Sequence, residues 1–437
     1  MALSPARLAA YEVLLAVDEK GSYVSELLHS SRYQKLSAID HGLATELAMG
    51  ALRWRSWLDE QIAKQASIKL NRLDFEVLIA LRLAAYQLAF LQRVPQRAAV
   101  HESVELVKHA RKRSAVPFVN AVLRKLAESA LEAPMLDGTS VEKLASSSAH
   151  PSWLVERWVA EYGIEAAKQI CKYDQMVPET SLHVPERLRA QTEGANLKPG
   201  LILASARRAE GNGKDLNALL DSGASILGEG SQLVARLLGN GDKFLDCCAA
   251  PGGKTRLLAE SNPSASVIAA ELHPHRARVL RKLVTASNVH VITADARALP
   301  TETQFDRILV DVPCSGTGTL ARNPEIKWKL SQDDLADLQQ RQVAILRGAM
   351  ARLAVGGRLV YSSCSLEPEE NQSVVEAALA NQSEFRFIDV RTRLEELRAS
   401  GELVWHNLDS MLTGPYLRTI PGVHPCDGFF AATIDRN

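Results

Sequence analysis

Two cysteines of the sequence stand in short polar motifs, each at a point where a β-strand is expected to end. The motifs read DVPCSGTG at 311–318 and YSSCS at 361–365. A single free cysteine is most often an inert core residue, but two thiols at neighbouring strand ends beside polar, glycine-rich loops are less typical of a core. A zinc pair would need further ligands, and no histidine or third cysteine lies at ligand spacing near either motif. Cys314 and Cys364 are therefore candidates for chemistry.

A third motif, DCCAAPGGKT at 246–255, follows another expected strand. Its small residues and two glycines let a ligand approach the backbone closely, and the helix that follows offers free N–H groups. A P-loop would need glycine at position 248, where the sequence has cysteine, and the GxGxxG fingerprint of dinucleotide-binding folds is absent. The motif therefore predicts a nucleoside-binding turn of another kind.

Acidic residues end the next two expected strands, with Glu271 after one and Asp295 after the other. A carboxylate can accept hydrogen bonds from both hydroxyls of a ribose, and another can accept from an adenine amine. Taken alone, each acid would more often be a helix cap or a surface residue. Three successive strands with ligand-suited ends favour a nucleoside cofactor, and the set suggests S-adenosylmethionine rather than a dinucleotide.

The elements that must position these motifs alternate, from residue 241 onward, between short apolar runs and amphipathic segments. The expected strands are KFLDCC, VIAAEL, VHVITAD, RILVDVP and RLVYSSCS, and the expected helices cover 255–260, 274–287, 332–354 and 368–381. This alternation predicts a mostly parallel sheet with helices on both faces. Ligands of such sheets bind at the carboxyl ends of the strands, where the three motifs lie.

The first 130 residues show a different pattern, in which apolar residues recur at helical spacing and glycine and proline are rare. Leu8, Val13, Leu14 and Val17 begin this pattern, which predicts a helical bundle. Between residues 51 and 125 there are 14 Lys or Arg against 6 Asp or Glu. Such a basic face could contact phosphates, and it could equally be a solvated bundle surface.

The rest of the chain divides by composition. The stretch 133–150 is small and polar and is interpreted as a linker. Residues 151–235 open with a helical pattern around Trp158 and continue with two strand-like runs, LILASA and ASILGE. We therefore expect four parts: a helical domain at 1–132, a linker at 133–150, a small α+β subdomain at 151–235 and an α/β domain at 236–437.

Composition excludes several classes of protein. The chain has 437 residues, of which 46% are hydrophobic and 23% charged, so a disordered chain, a collagen-like chain and a disulfide miniprotein are excluded. Lys+Arg and Asp+Glu both number 51, which argues against a uniformly basic nucleic-acid coat protein but allows a local basic face. The six cysteines form no CxxC pair, and no signal-peptide pattern or long apolar run is present. We expect a cytoplasmic protein without metal or membrane partners, and a monomer.

Together these motifs resemble those of the RNA 5-methylcytosine methyltransferases of the Fmu/Sun/RsmB group. The resemblance rests on DCCAAPGGKT, DVPCSGTGT and YSSCSLEPEEN, with a last motif, HPCDGFFAATI, at 424–434. The N-terminal stretch, which ends FVNAVLRKL at 118–126, resembles the NusB-like RNA-binding domain of the bacterial RsmB branch. The resemblance implies an all-α NusB-like domain, followed by the small middle subdomain and a C-terminal Rossmann-like domain of the class I S-adenosylmethionine-dependent methyltransferases.

The resemblance also implies a role for each residue of the site. Cytosine C5 is a poor nucleophile, so Cys364 would add to C6 and turn the ring into an enamine whose C5 takes the methyl group. Cys314 would assist breakdown of the adduct as base or proton relay, and Asp311 would bind the N3/N4 edge of cytosine. Lys254 would support this network and favour the Cys364 thiolate. The cofactor would be bound by Cys248, Ala249, Ala250, Pro251, Gly252, Gly253, Lys254, Glu271, Asp295 and Asp311.

Three positions depart from the usual residues of this group: Ser363 replaces threonine, Glu271 replaces aspartate and Ala294 replaces glycine. None of these changes removes a reacting group. The expected function is therefore methylation of cytosine C5 in small-subunit (16S) ribosomal RNA. Methylation of transfer RNA and a non-catalytic RNA-binding role in ribosome assembly stay open as alternatives, whereas a nicotinamide oxidoreductase lacks its glycine fingerprint.

Overall fold

The computed structural model of the chain describes residues 3–20, 22–129, 131–192, 197–209 and 214–437. The chain divides into two compact units. Unit 1 consists of Met1–Val177 and Leu320–Leu330, and unit 2 consists of Pro178–Thr319 and Ser331–Asn437. All three motifs singled out in the sequence lie in unit 2, and the short stretch that follows the Cys314 motif belongs to unit 1.

Unit 1 is helical, as the periodicity predicts. Its helices up to residue 177 are α1 (Pro5–Lys20), α2 (Val24–Leu28), α3 (Ala38–Arg53), α4 (Arg55–Gln65), α5 (Phe75–Phe90), α6 (Gln96–His109), α7 (Val116–Glu128), α8 (Val141–Ser147) and α9 (Ser152–Asp174). The apolar faces of α1 to α7 pack into one core, in which Val13, Leu47 and Leu58 are fully buried. Helix α5 is buried over most of its circumference, which is typical of a helix at the centre of a bundle.

Unit 2 begins with a small antiparallel sheet. Its elements are β1 (Thr180–His183), β2 (Lys198–Pro199), β3 (Ala206–Ala209), α10 (Lys214–Ser222) and β4 (Ser225–Ile226), and the strand order is β2-β3-β1-β4. The prediction of a strand at LILASA was wrong for its first five residues. The N–H groups of Leu201, Ile202 and Leu203 donate to the buried carboxylate of Glu229 instead of to a neighbouring strand.

The large sheet of unit 2 begins with the predicted alternation of strands and helices. Its elements up to residue 311 are α11 (Glu229–Arg236), β5 (Lys243–Asp246), α12 (Gly253–Ser261), β6 (Ser266–Glu271), α13 (Pro274–Leu283), β7 (Val289–Thr293) and β8 (Phe305–Asp311). A short helix, α14 (Ile326–Lys329), then lies in the stretch that belongs to unit 1. The remaining elements are α15 (Asp334–Met350), β9 (Leu353–Ser363), α16 (Gln372–Leu379), β10 (Phe385–Ile388), α17 (Val390–Ala399), β11 (Leu412–Thr413), β12 (Tyr416–Thr419) and β13 (Phe429–Arg436).

The topology of the large sheet confirms the predicted α/β class. The strand order is β11-β12-β13-β9-β8-β5-β6-β7, with β10 paired to β13. Strands β5 to β9 run parallel, and β13 is antiparallel to β9. The strand order changes direction between β5 and β8, and in open sheets of this kind ligands bind in the crevice beyond the carboxyl ends of the strands at that point. All five strands predicted here are present.

The stretch Leu320–Leu330 is held within unit 1 by buried polar contacts. Lys327 is fully buried on α14, and its Nζ donates to the backbone carbonyls of Arg53 (2.8 Å) and Ala149 (3.0 Å). The Trp328 indole N–H donates to the Leu52 carbonyl at 2.7 Å. Burial lowers the pKa of Lys327 to about 7, and its attraction to Asp174 opposes this shift only in part.

We expect Lys327→Met to change how the stability of the protein depends on pH. Between about pH 7 and the ordinary lysine pKa of 10.5, the unfolded chain binds a proton at Lys327 that the folded chain lacks. The wild-type protein should therefore gain stability relative to the variant as the pH rises from 7 to 10, by at most about 1.4 kcal/mol per pH unit. Calorimetric Tm values of both proteins from pH 6 to 10 measure this trend. A difference in Tm that stays constant over that range would contradict it.

Among the residues that the structure describes, none of the helices combines the length and the apolar character needed to cross a bilayer.

Candidate active site

The structure brings the two motif cysteines of unit 2 together. Strands β8 and β9 are parallel neighbours, and Asp311 pairs with Ser362 at their carboxyl ends. Cys314 lies three residues beyond the end of β8, and Cys364 is the first residue after β9. Their Sγ atoms are 3.2 Å apart, within hydrogen-bond distance for sulfur, and both cysteines are free thiols.

Close backbone contacts hold the two cysteine loops against each other. The Gly318 N–H donates to the Cys364 carbonyl at 2.9 Å, and the Gly428 N–H donates to the Gly318 carbonyl at 2.8 Å. A Cβ atom on Gly318 would lie only 2.4 Å from the Gly428 carbonyl oxygen. Glycine is therefore required at position 318, where three segments of backbone meet.

Cys314 keeps its proton in this arrangement. Its hydrogen bond with Cys364, together with burial, raises the pKa of the Cys314 thiol well above its usual range. The buried carboxylate of Glu370 acts in the same direction. At neutral pH the Cys314 thiol can therefore donate its hydrogen to the Cys364 sulfur.

Lys254 and Asp311 form an ion pair at the crevice between β5 and β8. The Lys254 Nζ is 2.7 Å from the Asp311 Oδ2, and the Ser362 hydroxyl donates to the Asp311 Oδ1 at 2.7 Å. Burial lowers the pKa of Lys254, but the charge and hydrogen bond of Asp311, together with Cys364, outweigh it, so the pKa is raised. Lys254 is therefore a cation at neutral pH, and both oxygens of Asp311 are held by donors.

The loop from Cys248 to Lys254 leads from β5 into the first turn of α12 at the same crevice. Gly252 has a φ of 117°, and a Cβ atom there would lie 2.5 Å from the Val284 Cγ2. Across the base of the loop, the Thr255 hydroxyl of α12 donates to the Oδ2 of Asp246, the last residue of β5, at 2.7 Å. Burial raises the pKa of Asp246 to about 6, with Asp311 adding to the shift and the Thr255 hydrogen bond opposing it. The loop is thus close-packed on the side of α13 and hydrogen-bonded at its base.

The two predicted cofactor acids lie at strand ends, but neighbouring residues already engage them. Glu271 is buried at the end of β6, and its Oε1 accepts the His273 N–H at 2.9 Å. Asp295 forms an ion pair with Arg297 at 2.6 Å, and this hydrogen bond lowers the pKa of Asp295. The Ala294 N–H donates to the Glu271 carbonyl at 3.1 Å, which joins the two strand ends.

Several residues that the motifs alone did not single out complete the site. The Lys254 Nζ lies 5.4 Å from the centre of the Phe429 ring, close enough for a cation–π contact. Ser362 fixes Asp311, and Glu370 contacts both cysteine loops. The only sequence signal for these residues was their position in the motifs YSSCSLEPEEN and HPCDGFFAATI. Among the described residues, no group of three His, Cys, Asp or Glu side chains is placed to hold a metal ion.

Comparison with known proteins places this geometry in a family. Residues 235–435 match the family profile described as 16S rRNA methyltransferase RsmB/F, and residues 4–128 match the NusB family. The chain is 33% identical to the probable ribosomal RNA small subunit methyltransferase B of Bacillus subtilis (strain 168), over 97% of each chain. It is 34% identical to the ribosomal RNA small subunit methyltransferase B of Pseudomonas syringae pv. tomato (strain ATCC BAA-871 / DC3000), over 88% of each chain.

The chain belongs to the ribosomal RNA small subunit methyltransferase B family. It is thus a methyltransferase of the small-subunit rRNA type, as the motifs predict. Solved structures agree on the fold. The structure of PH0851 covers 100% of this chain with a TM-score of 0.78 at 22% identity, and 99% of PH0851 is matched. NSun6 from Pyrococcus horikoshii with SFG matches 66% of this chain and 99% of its own, with a TM-score of 0.51 at 19% identity. The predicted NusB-like helical region and Rossmann-like C-terminal fold are confirmed.

We expect Gly252→Ala to cost more stability than Gly356→Ala. Both glycines have positive φ, so alanine at either position costs about 1–2 kcal/mol in backbone strain. Only at Gly252 would the new methyl group also clash, because Gly356 has nothing within 4 Å of the Cβ position. Gly252→Ala should therefore lose a further ~1–3 kcal/mol of unfolding free energy. Urea denaturation of the two variants measures the difference, and equal losses would rule out the close packing described for this loop.

Proposed function

We propose that this methyltransferase acts on C5 of a cytosine in small-subunit ribosomal RNA. The methyl donor is S-adenosylmethionine, and a transient bond forms between Cys364 and C6 of the ring. The observation that carries the proposal is the pair of thiols 3.2 Å apart, at strand ends beside the Lys254–Asp311 ion pair. Family membership supports the small-subunit RNA, and the thiol pair supports the chemistry at cytosine.

The residues at the crevice fit the proposed cofactor. S-adenosylmethionine supplies a methyl group carried on a sulfonium. The loop from Cys248 to Lys254 would hold it, because Gly252 keeps the loop backbone close to α13 and free of side-chain bulk. The Glu271 carboxylate uses one oxygen for the His273 N–H and has lone pairs left for a ribose diol. Asp295 would take the adenine amine only by sharing its carboxylate with Arg297.

Cys364 provides the nucleophile in the proposed reaction. It bonds to C6 as a thiolate, and the electron pair of the C5–C6 double bond moves toward C5, which can then take the methyl group. Two groups face its sulfur: the Cys314 thiol lies 3.2 Å away, and the Lys254 ammonium interacts with it electrostatically. N3 of the ring takes up a proton from solvent as the thiolate adds, and Asp311 accepts a hydrogen bond from the N3/N4 edge.

Cys314 completes the reaction. Once Cys364 is bound to C6 its sulfur no longer carries charge, so the interactions with Cys364 that raise the pKa of Cys314 are weakened, while burial and Glu370 still raise it. Cys314 can then release its proton to solvent and, as a thiolate, accept the proton from C5. Loss of the C5 proton re-forms the C5–C6 double bond, expels Cys364 as a thiolate and returns the N3 proton to solvent.

RNA binding would come from localised basic surface, because the chain has no net charge. The NusB-like helical region carries the excess of Lys and Arg between residues 51 and 125. Affinity should therefore fall with rising salt. The target cytosine must be unstacked for a thiol to reach C6, which favours a loop or incompletely assembled RNA. The six free thiols are compatible with a reducing compartment, and we place the reaction in the cytoplasm.

Bisulfite sequencing of RNA from cells with and without this protein tests the choice of substrate. We expect one 5-methylcytosine in small-subunit ribosomal RNA to disappear when the protein is absent. Disappearance from transfer RNA alone would replace the proposed substrate. No change in any RNA, together with no methyl transfer by the purified protein, would favour the non-catalytic role in ribosome assembly.

We expect Cys364→Ala to abolish methyl transfer while S-adenosylmethionine still binds. Removal of the nucleophile should lower turnover by about 1000-fold or more, because no other residue can open the C5–C6 double bond. Transfer of labelled methyl groups to RNA measures turnover, and calorimetric titration measures cofactor binding. Cys171→Ala, which removes a buried thiol of α9, serves as the control and should keep full activity. Turnover at the wild-type rate by Cys364→Ala would end the proposed mechanism.

We expect Cys314→Ala to accumulate a covalent protein–RNA complex. The variant keeps Cys364 and can form the adduct, but it lacks the group that takes the C5 proton. Denaturing gel electrophoresis with labelled RNA detects the complex. The RNA in the complex should be methylated only when S-adenosylmethionine is present. The double variant Cys314→Ala/Cys364→Ala should give no complex. A complex that persists in the double variant would show that another residue bonds to the RNA.

A further inference from the structure

Glu370 links the two cysteine loops through its carboxylate. It is fully buried at the end of a short 3₁₀ turn, Pro368–Glu370, between β9 and α16. The motif that carries it follows Cys364 directly in the sequence, but nothing in the proposed mechanism uses it. A buried carboxylate is costly unless donors surround it, so its contacts indicate what it holds.

On the Cys314 side, Glu370 holds the residue that follows the thiol. The Ser315 N–H donates to the Glu370 Oε1 at 2.8 Å, and the Ser315 hydroxyl donates to the Oε2. Gln342 of α15 donates through its Nε2 to the same Oε1 and to the Pro313 carbonyl, each at 2.9 Å. Ser315, which follows Cys314, is thus hydrogen-bonded to Glu370 directly. Pro313, which precedes Cys314, is hydrogen-bonded to Gln342, which in turn contacts Glu370.

On the Cys364 side, Glu370 again holds the residue that follows the thiol. The Ser365 hydroxyl donates to the Glu370 Oε2 at 2.5 Å, and the Ser315 and Ser365 hydroxyl oxygens are 3.1 Å apart. The Tyr361 hydroxyl of β9 donates to the Glu370 backbone carbonyl at 2.6 Å. One carboxylate therefore fixes the residue after each of the two reacting thiols.

We propose that Glu370 is a positioning residue that sets the distance between the Cys314 and Cys364 sulfurs. It acts through Ser315 and Ser365 and does not contact the RNA or the cofactor. That this distance matters for methyl transfer rests on the proposed function. That Glu370 sets the distance does not depend on the proposed function. A carboxylate can only accept hydrogen bonds. The Glu370 carboxylate is surrounded by four donors: the N–H and hydroxyl of Ser315, the side-chain amide of Gln342 and the hydroxyl of Ser365.

Oxidation of the thiol pair tests the geometry without RNA. The diazene reagent diamide takes two protons and two electrons from two thiols, which forms one S–S bond and reduces the reagent to a hydrazine. The rate at which the Cys314–Cys364 disulfide forms, measured by mass spectrometry of digested protein, reports how often the sulfurs meet. We expect Glu370→Gln to slow this rate by about tenfold, because the amide group of glutamine faces donors with a donor of its own. An unchanged rate in a folded Glu370→Gln protein would overturn the inference.

Two further variants separate positioning from general loss of stability. Glu229→Gln changes another buried carboxylate, which accepts three backbone N–H groups and has no hydrogen bond to either cysteine loop, and it should leave the oxidation rate unchanged. Ser315→Ala removes one hydroxyl from the Glu370 contacts and should slow the rate by a smaller factor, so it decides the question if Glu370→Gln fails to fold. A similar slowing in Glu229→Gln would also overturn the inference.

Methyl-transfer kinetics complete the test. We expect Glu370→Gln to lower kcat by about tenfold or more while KM for S-adenosylmethionine stays within about twofold of wild type, because the carboxylate acts on the thiols and not on the cofactor. A raised KM at unchanged kcat would overturn the inference. If wild-type protein fails to methylate any RNA, the proposed function falls, while the oxidation rates still decide whether Glu370 sets the sulfur distance.

Discussion

The register between the parallel strands β8 and β9 determines which side chains meet at this site. Asp311 of β8 lies beside Ser362 of β9, so the loops that follow both strands leave the sheet at the same height. Because side chains alternate along a strand, a slip of one residue would turn Ser362 away from Asp311 and move Cys364 away from Cys314. The 3.2 Å approach of the sulfurs and the three-way contact of Lys254, Asp311 and Ser362 both follow from this pairing.

Polar contacts beyond the ends of the strands fix the positions of the two cysteine loops relative to each other. Gly318 allows the Cys314 loop to approach the Cys364 carbonyl and the Gly428 backbone, and Glu370 holds the residue after each cysteine. Lys254 reaches the same place from the opposite side of the crevice, between the Asp311 carboxylate and the Phe429 ring. Four separate stretches of unit 2 therefore meet at the two thiols, which explains why its sequence motifs are spread over nearly 200 residues.

Much of this arrangement could be predicted from the sequence. The alternation of apolar runs and amphipathic segments predicted all five parallel strands. A strand that is buried on both faces of a sheet must be apolar along its length, and such runs are visible in the sequence. Strand ends converge at one edge, so the motifs that carry Lys254, Asp311, Cys314 and Cys364 could be expected to meet there. The helices were less well bounded: α13 was expected to reach residue 287 and ends at Leu283, where the apolar spacing alone gave no stop signal.

The rest could not be predicted because it depends on contacts between distant residues. The LILASA stretch has the composition of a strand, but the Glu229 carboxylate captures its N–H groups. Nothing local in the sequence of Leu320–Leu330 indicates that it packs with the N-terminal helices through Lys327. Glu370 is one of three acids between residues 367 and 370, and sequence alone does not show that its carboxylate contacts both cysteine loops. Asp295 was expected to be open to a cofactor, and its pairing with Arg297 two residues away became visible only in the structure.

The proposed bond between the Cys364 sulfur and C6 of a cytosine is tested most directly by a substrate that cannot complete the reaction. RNA in which the target cytosine carries fluorine at C5 has no C5 proton to lose, so the methylated adduct should stay bound to the wild-type protein. Mass spectrometry of the digested complex should find one modified peptide, with methylated fluorocytidine attached to Cys364. Attachment at Cys314, at any other residue, or no attachment in RNA that is methylated when fluorine is absent would contradict the account.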